Sequence, residues 1–131
     1  MPYYAHVRQD ESGENIYQTV AEHLTGTATL CREFAADFGA EADGELTGLT
    51  HDLGKCTDAF QKRLLEGGPV VDHATAGMLA CIKMKRPSAA ACVAGHHGGL
   101  LDVGHLRTDR AGEATLSGRF KKGMEEHYLE R

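Results

Sequence analysis

Eight histidines stand in a chain of 131 residues: His6, His23, His51, His73, His96, His97, His105 and His127. They are dispersed, and five of them fall in or beside apolar segments, where a metal cluster would draw its ligands. One is followed directly by an aspartate, His51-Asp52, and two are adjacent, His96-His97. Imidazole with carboxylate is a donor set for borderline divalent ions such as Zn, Fe, Ni, Co or Mn. Neighbours on a helix point about 100° apart, so His51 and Asp52 can turn to one centre only where a helix ends. Leu49 before the pair and Leu53-Gly54 after it bury its surroundings. A carboxylate buried there must be paired or metal-bound. Taken alone, the dipeptide fits equally an aspartate that bonds locally beside a surface histidine. The wider set carries more. His23 sits at the edge of an apolar helical stripe, His73 opens a helix, and His96-His97 closes another before Gly98-Gly99. Separate helices thus each offer an imidazole near an end or an edge, and together they predict metal binding. Lys55 adds a cation three residues after Asp52. It would stabilise charge developing on a phosphate, although a plain exposed lysine is the ordinary reading.

The elements that must position these groups are helical. Ile16, Val20, Leu24, Ala28, Cys31, Ala35 and Phe38 recur at helical spacing and predict a first helix ending at Gly39. Gly26 inside it suggests close packing or an approach to the site. Residues 1–15 read as an extended or loop entry. Leu46, Leu49 and Leu53 predict a short helix stopped by Gly54. Thr57 caps the next, which ends at Gly67-Gly68-Pro69. Asp72 caps a helix starting at His73, and Pro87 breaks it. Ser88 caps the following helix, which runs into His96-His97. Residues 102–119 are polar, and 120–131 read as a charged terminal helix or a frayed end. The expected fold class is all-α, a bundle of five or six short helices forming a single domain over residues 1–131.

Composition narrows the classes. With 14 Lys+Arg against 19 Asp+Glu the net charge is −5, and hydrophobic residues make up 41%. This excludes a disordered tail and a histone-like basic binder. No apolar run is long enough to span a membrane. The N-terminus has no basic start followed by an apolar run, so no secretory signal is read there. Cys31, Cys56, Cys81 and Cys92 form no CxxC pair, which argues against a structural thiolate zinc site and for free thiols in a reducing cytoplasm.

The stretches "EHL" (22–24), "HDLGK" (51–55), "DHATAG" (72–77) and "GHHGGL" (95–100), in this order, resemble the HD superfamily. More narrowly, they resemble the HD nuclease domain of the CRISPR type I effector helicase–nuclease. "YYAH" (3–6) and "FQKRL" (60–64) fit the same subgroup. The double histidine with two glycines is the most specific piece. The resemblance covers residues 3–105 and implies a compact helical bundle around one or two divalent ions (Mn, Ni, Co, Fe, Mg or Zn). It implies hydrolysis of phosphodiester bonds in single-stranded DNA, the strand being displaced by an RNA-guided surveillance complex and fed in by a helicase module. His23, His51 and Asp52 would hold one ion, with Asp52 bridging to a second held by His73, His96 and His97. Lys55 would contact the phosphate.

One departure bears on the first ion. The family uses a further aspartate well downstream of the double histidine, and only 34 residues follow His97 here. Asp102 and Asp109 stand closer than that spacing. The chain therefore reads as an HD-type domain lacking its last helices, and the apolar surface this would expose leaves a homodimer open. The basic sites Lys62-Arg63, Lys83, Lys85-Arg86, Arg107–Arg110 and Lys121-Lys122 read as solvated faces. A charge of −5 suits a subunit to which another module delivers the strand, since non-specific DNA binding wants a basic surface. Two other classes stay open: a phosphohydrolase acting on a nucleotide, and an incomplete domain that binds metal and a partner without cleaving.

Overall fold

The chain is seen in a computed structural model that describes residues 1–130. Its order is β1 (Tyr4–Gln9), β2 (Asn15–Thr19), α1 (Val20–Ala36), α2 (Glu41–Thr50), a 3-10 turn (Leu53–Cys56), α3 (Asp58–Glu66), α4 (Ala74–Lys83), α5 (Pro87–Gly95) and α6 (Leu116–Glu125). The expected helical bundle is present, with a small antiparallel hairpin of β1 and β2 in front of it.

That hairpin corrects the reading of residues 1–19. Ile16 belongs to β2, and α1 begins only at Val20. The boundary is a capping box: Glu22 N–H donates to Thr19 Oγ1 at 3.2 Å, and Thr19 N–H donates to Glu22 Oε2 at 2.9 Å. The Thr-x-x-Glu signal was present in the sequence, but the chance spacing of Ile16 and Val20 ran across it. β2 shows no inward-outward alternation because Asn15 to Gln18 are all exposed.

The core lies between α4 and α5. Met78, Leu79 and Cys81 from α4 pack against Ala89, Ala90, Val93 and Ala94 from α5, with Leu46, Leu116, Phe120 and Tyr128 around them. The residues are small, so the backbones run close. A Cβ on Gly77 would lie 1.9 Å from the Thr50 carbonyl oxygen, and one on Gly48 would lie 2.4 Å from Ala28 Cα. Gly48 locks α2 against α1, and Gly77 locks α4 against the end of α2. Those contacts hold the helix end that carries His51 and Asp52. A second cluster of Ala5, Val20 and Leu24 fastens the hairpin to α1.

Other boundaries follow the expected chemistry with adjustments. Thr57 Oγ1 accepts from Phe60 N–H at 3.3 Å and caps α3. Asp72 Oδ1 accepts from Ala74 N–H at 3.1 Å and Thr75 N–H at 3.0 Å at the start of α4. Helix α5 starts at Pro87 rather than after a Ser88 cap, because proline's fixed φ and missing N–H suit the first helical position. Helix α6 begins at Leu116, where Thr115 Oγ1 accepts from Gly118 N–H at 2.9 Å. All four cysteines are free. No helix among the described residues is long and apolar enough to cross a membrane.

Gly26 faces open space, which overturns its expected packing role. The two glycine environments predict opposite outcomes. Gly26→Ala should stabilise the fold by about 0.5–1 kcal/mol, because alanine raises helix propensity there at no steric cost. Gly77→Ala should cost at least about 2 kcal/mol through overpacking. Urea denaturation of both variants checks the pair.

Candidate metal centre

Asp52 follows the end of α2 and is 3% exposed. Its two oxygens face different nitrogen groups. Oδ2 lies 2.9 Å from His23 Nε2 and 3.2 Å from His51 Nε2. Oδ1 lies 3.2 Å from His96 Nε2 and 3.4 Å from His73 Nε2. His97 Nε2 is 2.7 Å from His73 Nε2. All six residues expected at the site from sequence, together with Lys55, therefore meet in one place.

Local structure explains how they are aimed. His51 and His96 each cap the C-terminus of a helix, where the last carbonyls lack partners. His51 Nδ1 bonds the Gly48 carbonyl at 2.8 Å, and His96 Nδ1 bonds the Val93 carbonyl at 2.7 Å. His73, before α4, does the same with the Val71 carbonyl at 3.1 Å. A carbonyl only accepts, so each Nδ1 carries a proton and each ring turns Nε2 inward, where it donates to a neighbouring acceptor while protonated and offers a lone pair to an ion once that proton has left. Metal-binding histidines are commonly oriented this way. Gly54 brings His73 in: a Cβ there would lie 2.5 Å from His73 Cα, and Gly54 N–H donates to the His73 carbonyl at 3.1 Å.

The donor set fits a divalent ion. His23 Nε2 and His51 Nε2 are 3.0 Å apart and, with Asp52 Oδ2, form a triangle with edges of 2.9–3.2 Å. Donors about 2.0–2.1 Å from one ion are separated by roughly this much. Asp52, His73, His96 and His97 form a second group with ligand atoms within 4.8 Å of one another. Lone pairs aimed at each other and at a carboxylate repel unless a cation or a proton lies among them.

Lys55 is buried at 5% exposure, with Nζ donating to the Ala5 carbonyl at 3.2 Å and standing 2.8 Å from Asp52 Oδ2. Its charge is held on the aspartate. Burial opposes ionisation of Asp52, but hydrogen bonds from His51, His96 and Lys55 outweigh it and hold the carboxyl far below the usual range. Burial pushes His23, His73 and His97 below the ordinary imidazole value. His96 is the exception: its hydrogen bond to Asp52 outweighs burial and raises it.

His6 was not singled out as a site residue, yet it belongs to a group with His23 and Asp52. It lies on a strand whose existence no periodicity announced. The other histidines stand apart. His105 Nδ1 accepts from Arg107 N–H at 3.2 Å in the loop before α6, and His127 pairs with Glu130 at 3.4 Å. Neither Asp102 nor Asp109 joins a metal-type group among the described residues. Asp109 Oδ2 accepts from Thr115 Oγ1 at 2.6 Å and His105 N–H at 3.0 Å, so it organises that loop.

Helices closing on a histidine–aspartate centre define the class. A family model for the HD domain matches residues 20–119, and the chain belongs to that family. HD domains are typically metal-dependent hydrolases, and the His/Asp cluster is one that could hold a divalent ion. A search of curated proteins finds none that matches the chain.

Two outcomes follow. Removing the Lys55 charge leaves Asp52 buried with one fewer partner, so Lys55→Met should destabilise the metal-free chain by about 3 kcal/mol, read from its urea midpoint. An ion must also displace the proton that His96 holds to higher pH. Affinity for Mn²⁺ at the group holding His96 should therefore climb with pH until His96 has lost that proton and then level off, with a proton released on binding below that point. Titration calorimetry in buffers of different ionisation enthalpy counts that proton.

Proposed function

We propose that this HD domain hydrolyses phosphodiester bonds in single-stranded DNA, with His23, His51 and Asp52 holding one divalent ion and Asp52, His73, His96 and His97 a second. The observation that carries the reading is the division of Asp52: one buried carboxylate offers each oxygen to a different imidazole group. Bound there, divalent ions polarise a phosphoryl oxygen and lower the pKa of water toward neutrality. Asp52 remains ionised across the working pH range, and Lys55 holds it in place while adding positive charge at the centre. His96 and His97 are exposed on the outer side, beside a turn whose Gly99 has a φ of +86°. That open side suits a strand passing across the centre. The resemblance of the HDLGK and GHHGGL segments to the CRISPR effector nuclease supports DNA as substrate and cytoplasm as location. It also supports a helicase module with its RNA-guided complex as the source of the strand. The charge of −5 fits delivery by such a partner better than unaided capture.

Circular single-stranded DNA with Mn²⁺, Ni²⁺ or Co²⁺ tests the activity, beside a panel of nucleotides. The wild type should linearise the circle, and Asp52→Ala should lower the rate at least about 100-fold. Equal turnover in Asp52→Ala would sink the assignment. Hydrolysis of nucleotides with intact circles would replace DNA by a small phosphoester as substrate.

A further inference from the structure

Strand β1 lies outside the residues matched by the HD family, 20–119, yet it reaches into the metal centre. Its pairing with β2 is irregular between Tyr4, which faces Thr19, and His6, which faces Gln18. Ala5 is therefore an extra residue, and an irregularity of this kind re-aims the side chains next to it. Ala5 is buried at 1% exposure, and its carbonyl accepts from Lys55 Nζ. His6 follows. Its ring stands edge-on to the His23 ring with centroids 4.7 Å apart. His6 Nε2 is 3.4 Å from Lys55 Nζ. An ammonium only donates, so His6 Nε2 accepts from Lys55 and carries a lone pair on that side, and a role as ligand would exchange this bond for the ion.

The strand is fastened where this matters. Tyr4 N–H donates to Gln61 Oε1 at 3.0 Å, and Gln61 Nε2 donates to the Tyr4 carbonyl at 2.9 Å and the Lys55 carbonyl at 2.8 Å. Val20 N–H donates to the Tyr3 carbonyl at 2.8 Å. Gln61 thus ties β1 directly to the turn bearing Lys55. The acceptors Asp52 Oδ2, the Ala5 carbonyl and His6 Nε2 already converge on one cation, the Lys55 ammonium. His6, His23 and Asp52 also present ligand atoms within 4.8 Å of one another.

We infer that His6 is a ligand of the first ion, added by the N-terminal hairpin to the set of His23, His51 and Asp52. In this chain, where neither Asp102 nor Asp109 joins the cluster, the hairpin supplies the further donor on that side. The inference rests on the two-ion reading above. The test is Mn²⁺ binding to the full chain by equilibrium dialysis and calorimetry, with circular dichroism of the metal-free proteins to confirm folding. The wild type should take up two ions. His6→Ala should weaken one of them at least about tenfold and leave the other within about twofold. His6→Asp, which returns an oxygen donor, should restore much of the loss. Arg8→Ala, on the same strand, should bind as the wild type does, and His97→Ala should weaken the other ion instead. Two-ion binding unchanged in His6→Ala, or a loss that His6→Asp does not mend, would overturn the role of His6 alone. A wild type that takes up no ion would overturn the two-ion reading with it.

Discussion

Asp52 is a carboxylate taken almost wholly out of water, and its neighbourhood is arranged to keep it charged. Burial of such a group costs several kcal/mol unless other charges and hydrogen bonds compensate. The compensation comes from Lys55 at 2.8 Å and from imidazoles on four sides. None of these partners is local except His51 and Lys55. The chain must therefore bring α1, the end of α2, the start of α4 and the end of α5 to one point before the aspartate can be accommodated. Fold and site are the same requirement seen from two directions.

Glycine and alanine make that convergence feasible. Gly48 and Gly77 admit neighbouring backbone where a Cβ would collide, and Gly54 admits the backbone of His73. The core between α4 and α5 has three alanines and no aromatic residue among its buried members. Short helices with small contact faces gain limited apolar burial, so close backbone approach and helix-end hydrogen bonds matter more here than large side chains. The same logic places the histidines. A helix C-terminus leaves carbonyls without partners, and His51 and His96 satisfy one each through Nδ1 while turning Nε2 to the centre. Terminating the helix and orienting the ligand are one event.

The large hydrophobic side chains left outside show what the first helix's stripe concealed. Val20, Leu24, Ala28 and Ala35 are buried as the spacing requires, whereas Ile16 and Phe38 at the two ends of the stripe are exposed. Ile16 lies beyond the capping box in β2, and Phe38 lies past the end of α1. Periodicity identifies the middle of a helix well and its ends poorly, because the ends are decided by single capping hydrogen bonds. The start of α5 at Pro87 and of α6 at Leu116 belong to the same class of detail.

Residue type and order in the chain were enough to establish the helical class and the set of chemically competent side chains. Helical spacing, cap residues and His/Asp chemistry are local properties, readable without coordinates. The HDLGK and GHHGGL segments carried the family likeness for the same reason. What only the tertiary structure decided was which oxygen of Asp52 meets which imidazole, that Lys55 is turned inward onto that carboxylate, and that His6 stands beside His23. These depend on contacts between residues far apart in the chain, fifty positions in the bond from Lys55 to Ala5. They also depend on a hairpin held by Gln61 and by the single buried Ala5 rather than by an alternating hydrophobic pattern of its own. A strand that buries almost nothing leaves no periodic mark in a sequence, yet its backbone carbonyl and one imidazole help complete the centre's inner wall.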